Sequence, residues 1–210
     1  GTIIMQHPPA LMQFAKWPQK GQVKTRLAAE LGERKALDAH LTLTDVVLKN
    51  LMDSGYPLTF WWDRAMSEPP AEAEGVLLRL RKGGIPQRVQ KGSDLGERMH
   101  HALEEAVAHA GAGMIVGSDC PAVTPEYVRR AAQSLATADV VLGPSDDGGF
   151  VLIGARRTVP GMLAGPAWGS SQVLEQTQAA LHQQGLQVAC LEPLWDVDDP
   201  EDWARFQRLR

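Results

Sequence analysis

The sequence predicts an α/β protein: a single three-layer α/β/α sandwich over residues 10–210, built on a mixed, mostly parallel sheet. Short apolar runs alternate with stretches whose apolar residues recur every three or four positions, the pattern of strands covered by helices. Segments rich in Gly, Ser and Asp follow several of those runs, where open α/β sheets bind ligands. The link between the apolar runs Asp139–Gly143 and Phe150–Ala155 is too short for a helical crossover, so one strand is expected to break the parallel pattern.

Taken in order, Ala10 to Lys16 is an apolar run stopped by Trp17-Pro18, a buried first strand followed by a loop. Leu37, Leu41, Thr44, Leu48 and Leu51 form a helical stripe that Gly55-Tyr56-Pro57 ends. Leu58–Trp62 and Ile85–Gln90 read as the next strands, and Glu68–Glu74 as a surface loop or weak helix. Met99, Ala102, Leu103, Ala106 and Val107 share a helical face ahead of the apolar strand Gly113–Gly117. Thr124-Pro125-Glu126 combines an N-cap, a first-turn proline and an acid, so a helix starts there. After the two strands around 139–155 come a helix near Gln172–Gln183, a strand at Gln187–Leu191 and a terminal helix beginning near Pro200. Residues 1–9 read as a flexible lead-in.

The composition excludes several classes. With 44% hydrophobic and 22% charged residues the chain is an ordinary globular one rather than a disordered one. A formal net charge of −4 provides no global field for a nucleic-acid backbone, so any phosphate must be captured locally. Two cysteines, Cys120 and Cys190, make no disulfide framework. No run reaches the roughly 20 apolar residues of a membrane span, and the first residues lack the features of a signal peptide. These features together point to a cytoplasmic protein, with oligomeric state undetermined.

Four loops carry the candidate chemistry. Lys16 to Leu27 holds Lys16, Lys20, Lys24 and Arg26 directly after the first strand. Gly21 permits a tight turn, and Lys24, Thr25 and Arg26 lie where a phosphate would meet a following helix, so Lys16, Gly21, Lys24, Thr25 and Arg26 are candidate nucleotide-binding residues. It is not a P-loop, because Val23 rather than glycine precedes Lys24. Gly117-Ser118-Asp119-Cys120-Pro121 puts Asp119 at a strand tip, suited to a hard divalent cation; turn capping explains the same residue without a ligand. Ser145 to Phe150 supplies Asp146, Asp147, Gly148 and Gly149, either a ligand loop or a plain turn. Asp94 and Glu97 have helix-initiation spacing beside Arg98, a further phosphate candidate. In Trp195 to Asp202 one acid is a candidate distal metal ligand, although N-capping by Asp198 or Asp199 fits equally. Trp168 lies in a Gly/Pro loop rather than a periodic stripe, a position typical of ligand contact. His100-His101 has no partner at zinc spacing, and Cys120 has no neighbouring histidine to make it a nucleophile.

Five segments in order, FAKWPQKGQVKTRL, GSDLGERM, GSDCPAVTPE, VVLGPSDDGGFVLIG and DVDDPEDW, resemble the bacterial nucleotide-diphospho-sugar transferase-like family of the glycosyltransferase-A superfamily. The first, third and last also resemble the superfamily's molybdenum-cofactor and phospholactate nucleotidyltransferases. The resemblance implies a nucleotide pocket in the N-terminal half, Mg²⁺ or Mn²⁺ held by Asp119, and acceptor-side residues from the C-terminal half: Asp146, Gly148, Gly149 and Trp168. This chain has Ser118-Asp119-Cys120 in place of a full Asp-x-Asp, which leaves Asp147 and Asp198 as candidates for the second metal ligand; Asp198 is the metal assignment and Asp147 the group that orients or deprotonates an acceptor. The expected activity is metal-dependent glycosyl transfer from a nucleotide-diphospho-sugar to a small acceptor. The alternatives are nucleotidyl transfer from an NTP to a phosphorylated small molecule with release of pyrophosphate, and nucleotide sensing without turnover.

Overall fold

The computed structural model describes residues 7–210; the first six residues of the expected lead-in lie outside them. Seven strands form one sheet in the order β3-β2-β1-β4-β6-β5-β7: β1 (Ala10–Ala15), β2 (Leu58–Trp62), β3 (Gln87–Val89), β4 (Gly113–Val116), β5 (Val140–Pro144), β6 (Phe150–Ala155) and β7 (Val188–Cys190). The exception to the parallel pattern is β6, antiparallel to both β4 and β5. Its link from β5 is a hairpin in which the Ser145 N–H donates to the Gly149 carbonyl at 2.9 Å, the outcome expected from so short a connection.

The helices are α1 (Thr25–Leu31), α2 (Glu33–Asp53), α3 (Glu74–Gly83), α4 (Leu95–Ala110), α5 (Pro125–Ser134), α6 (Val173–Gln183) and α7 (Pro200–Leu209). Because side chains alternate along a strand, each inner strand feeds two cores. Leu11, Met114, Val116, Val141 and Leu152 pack with Val47 and Leu51 of α2 and Val128 of α5. Their chain neighbours Met12, Ile115, Val140, Leu142 and Ile153 pack on the other face with Leu103 of α4 and Leu181 of α6. The three layers follow from that alternation. Among the described residues no helix is long and apolar enough to cross a membrane.

Helix ends agree with the local chemistry read from the sequence. Thr124 Oγ1 accepts the Tyr127 N–H at 3.1 Å with Pro125 in the first turn, and Asp94 Oδ1 accepts the Glu97 N–H at 2.8 Å. Two helices differ from expectation. The Glu68–Glu74 stretch enters a 3₁₀ turn at Ala71–Ala73 and continues as α3, held by Val76 and Leu80 against Phe60 and Trp62. The basic loop is shorter than expected, because α1 starts at Thr25 and is fixed by Leu27 packing on Ala36 and Ala39.

The strand order positions the site. From β1 the chain moves outward through β2 to β3, then returns to β4 on the opposite side of β1. The loops after β1 and β4 therefore diverge and leave a crevice between adjacent strand ends, the switch point at which doubly wound sheets bind ligands. The loop between β5 and β6 opens on the same edge, and the segment after β7 runs along it, with Leu194 bridged to Ser145.

That last segment enters α7 through a capping box: Asp199 Oδ1 accepts the Asp202 N–H at 2.8 Å while the Asp199 N–H donates to Asp202 at 3.3 Å. Asp199→Ala removes the cap and is expected to lower stability by about 1 kcal/mol, read as a lower urea midpoint with an unchanged m-value.

Candidate functional site

Two adjoining cavities occupy the crevice and share Phe14, Leu95 and Gly117. The larger, about 560 Å³, lies between the loops after β1 and β4 and is bounded by Lys16, Lys24, Thr25, Arg26, Arg98 and Asp119. The smaller, about 250 Å³, lies over β6 and the α4 start, and its carboxylates are Asp147 and Asp196.

The residues after β1 converge on the strand tip of β4. Lys24 has φ +51°, the one non-glycine positive φ among the described residues, at a cost on the order of 1–2 kcal/mol. This left-handed turn starts α1 and sends the Lys24 side chain, 5% exposed, into the crevice. Its Nζ stands 2.8 Å from Asp119 Oδ1 and also donates to the Val197 carbonyl. The Val197 N–H in turn donates to the Asp119 carbonyl at 2.9 Å. Three segments distant in sequence are thus tied at one point. Arg26 is exposed at the rim and pairs with Asp198.

Below this knot lies a buried polar layer not singled out from the sequence. Gln13, on β1 and fully buried, donates from Nε2 to Ser118 Oγ at 3.0 Å and to the Thr44 carbonyl at 3.2 Å. Ser118 Oγ donates onward to the Phe14 carbonyl at 2.7 Å, so the β4 tip that carries Asp119 is fastened to β1. His40 lines the crevice, and its Nε2 lies 3.0 Å from the Lys16 carbonyl; burial lowers its pKa, which keeps the ring neutral at pH 7. His40 and Thr44 sit four residues apart on the buried face of α2, a polar pair on an apolar stripe that was the available signal.

Arg98 faces the larger cavity, its Nε donating to the Gly92 carbonyl at 3.1 Å. Gly21, at φ +82°, makes the turn expected of it but does not line either cavity. On the loop between β5 and β6, Asp147 Oδ1 accepts the Gly149 N–H at 3.1 Å and the Ser145 hydroxyl. Asp146 is exposed and away from both cavities, whereas Gly149 and Trp168 line the smaller one. Gly148 lines neither cavity and packs behind them, where a Cβ would fall 1.9 Å from the Ser171 carbonyl oxygen.

Asp196 is the acid that the sequence did not separate from its neighbours. It lies in the same cluster as Asp198, but Asp198 faces Arg26 while Asp196 turns toward Asp147 and Asp119. Burial, then the Asp147 and Asp119 charges, push its carboxyl up to about 7. Asp119, Asp147 and Asp196 are hard oxygen donors of the kind that hold magnesium or manganese, and the charge they concentrate is one a divalent cation would relieve. Among the described residues no three His, Cys, Asp or Glu side chains form a ready cage. A cation bound by one or two carboxylates and completed by phosphate and water oxygens requires none. Cys120 is buried with its thiol donating to the Trp195 carbonyl at 3.2 Å, and burial pushes the thiol up to about 12; it packs and is no nucleophile.

A family model described as "Uncharacterized protein conserved in bacteria (DUF2064)" matches residues 59–170. The chain is 35% identical over 108 residues to 2-phospho-L-lactate guanylyltransferase of Methanopyrus kandleri; the match covers 50% of this chain and 55% of that protein, about half its length. A provisionally assigned nucleotide-diphospho-sugar transferase from Desulfovibrio desulfuricans G20 superposes with a TM-score of 0.85 at 28% identity, covering 97% of this chain and 88% of its own. Rv0371C from Mycobacterium tuberculosis, solved with manganese, shares the fold at a TM-score of 0.57 and 17% identity, covering 95% and 98% of the two chains.

Two measurements check the electrostatics. Because the Asp196 carboxyl lies at about 7 in the folded chain against an ordinary 3.8, the native state holds its proton over a wider range than the unfolded one. Its contribution is therefore fully present below about pH 4 and is lost as pH rises through 7, by on the order of 2–4 kcal/mol before solvent relaxation. In metal-free protein Asp196→Asn should raise the urea midpoint near pH 8 and leave it little changed at about pH 4, where both side chains are uncharged. In the second, iodoacetamide at about pH 8 should label the exposed Cys190 in native protein and spare Cys120, which is buried and whose thiol burial pushes up to about 12; in urea both should react.

Proposed function

The chain belongs to the bacterial DUF2064 family, and we propose that its crevice catalyses metal-assisted nucleotidyl transfer, joining an NTP to a phosphorylated small molecule with release of pyrophosphate. The observation that carries this reading is the division of the crevice. The cationic side chains Lys16, Lys24, Arg26 and Arg98 all line the larger cavity, alongside Asp63, Asp94, Asp119 and Asp198; the smaller has no cation, and its Asp196 feels the charges of Asp147 and of Asp119 across the divide.

In this reading the triphosphate lies along Lys24, Thr25, Arg26 and Arg98, whose donors offset charge on the β and γ oxygens and on departing pyrophosphate. Lys16 borders the same channel. Asp119 and Asp196 would hold Mg²⁺ or Mn²⁺, which when bound polarises the α-phosphoryl group and neutralises phosphate charge. The acceptor enters through the smaller cavity. Its phosphate oxygen forms a bond to the α-phosphorus as the bond from that phosphorus to the bridging oxygen breaks, and the electron pair leaves with pyrophosphate. No general base is required, because the attacking phosphate oxygen is already anionic. Asp147 then orients the acceptor rather than deprotonating it, and Asp198 acts through Arg26.

Similarity to a guanylyltransferase at 35% identity supports nucleotidyl over glycosyl transfer. Glycosyl transfer, the first expectation from the sequence, keeps one observation in its favour: the 28% identical Desulfovibrio structure carries a nucleotide-diphospho-sugar transferase assignment and matches nearly the whole chain. Product analysis separates the two. With each NTP, magnesium and a panel of small phosphate monoesters, pyrophosphate and a nucleoside-diphosphate-linked product are expected, and Asp119→Asn, Asp196→Asn and Lys24→Gln should each lower the rate about 10²-fold or more with the melting transition retained. Release of a nucleoside diphosphate from nucleotide-sugars, with no pyrophosphate from any NTP, would restore glycosyl transfer. Metal-dependent nucleotide binding with neither product would leave a sensor.

A further inference from the structure

We infer that the smaller cavity is an acceptor subsite that takes a phosphate monoester whose organic body is small, apolar and free of any second negative charge. The inference rests on the nucleotidyl-transfer reading and specifies its second substrate. Lys16, Lys24, Arg26 and Arg98 all border the larger cavity. The lining of the smaller contains no Lys, Arg or His; it is built from side chains such as Met99, Ile153, Phe150 and Trp168, with Asp147 and Asp196 as its only charged groups. An acceptor can therefore present its phosphate to the cationic side of the junction, whereas a carboxylate on its body would lie among apolar side chains with Asp147 nearby and no cationic side chain to pair with.

The walls are fixed closely enough to keep that chemistry selective. A Cβ on Gly96 would fall 2.2 Å from the Leu163 carbonyl and 2.8 Å from Trp168 Nε1, so α4 and the Trp168 loop meet at backbone distance. Phe150 meets Trp168 edge-on, with ring centroids 6.1 Å apart and planes at 82°. Gly149 and Ser170 also line the space, and behind them their chain neighbours Gly148 and Ser171 meet at backbone distance. At roughly 30 Å³ per water molecule the 250 Å³ space equals about eight waters, which suits a body of a few carbons rather than a second nucleotide or a long lipid chain.

The test uses two esters of matched shape: 2-phospholactate and 3-methylbutan-2-yl phosphate, in which an isopropyl group replaces the carboxylate. With saturating NTP and magnesium, the neutral-bodied ester should be preferred by about tenfold or more in kcat/KM for pyrophosphate release. Ser170 lines the cavity from an exposed loop, and Ser170→Arg should narrow or invert that preference by supplying the missing cation. Equal use or preference for 2-phospholactate by the unmodified chain, or a ratio unmoved in Ser170→Arg, overturns the inference while leaving nucleotidyl transfer in place. Absence of pyrophosphate release with every NTP and both esters defeats the nucleotidyl reading instead. Calorimetric binding of the two esters to the magnesium-loaded chain then decides the subsite by the same ratio.

Discussion

Lys24, Asp119 and Val197 form a closed set of contacts on which the rest of the crevice depends. The lysine ammonium meets the Asp119 carboxylate and the Val197 carbonyl, and the Val197 N–H returns to the Asp119 carbonyl. Each contact joins a different pair of segments: the loop after β1, the tip of β4 and the strap after β7. Removing the ammonium would leave a carboxylate facing a strap whose own acids, Asp196 and Asp198, carry the same sign. The left-handed backbone at Lys24 is the local cost of aiming that side chain inward, and strained φ/ψ angles persist where the surrounding structure over-determines them.

The sheet supplies the rigidity this contact set needs. β1 and β4 are parallel neighbours in register from Ala10–Gly113 to Gln13–Val116, and the Gln13–Ser118–Phe14 hydrogen bonds carry the connection past the last strand pair to the site. The buried Gln13 amide donates twice from Nε2, to Ser118 at the site and to the Thr44 carbonyl of α2, while its Oε1 meets no donor among the described residues. The floor of the crevice is thereby tied to both β1 and α2.

The one-sided placement of the cations along the crevice follows from topology rather than composition. The cations arrive from the loop after β1 and from the start of α4, on the outer side of the switch point. The carboxylates of the smaller cavity arrive from the β5–β6 hairpin and the strap, on the inner side. β5 runs parallel to β4 and so ends at this edge, and the reversal of β6 lets the chain turn back there in a short hairpin instead of crossing to the far edge.

Much of this was legible in the residues. The alternation of apolar runs, the Thr124-Pro125 helix start, the short 144–149 link and the Gly117-Ser118-Asp119 strand tip are local patterns, and local patterns encode backbone geometry directly. The loops that would meet at a ligand were legible too, because open α/β sheets place them at strand ends. α3 escaped because its short apolar face gains its helical character by packing on Phe60 and Trp62. Sequence spacing could not separate Asp196 from Asp198, since both lie in one acidic run. Only the packing of Val197 into the core, with no exposed surface, sets them apart, and it turns one acid toward Asp119 and Asp147 and the other toward Arg26. The sequence by itself determined the layers, the mixed sheet and the set of polar loops, because those follow from periodicity and turn chemistry. Tertiary structure alone decided which acids share a field and that the cations stand on one side of the junction, because electrostatic interaction depends on distance in space, and residues 24, 119 and 197 are neighbours only after the sheet has formed.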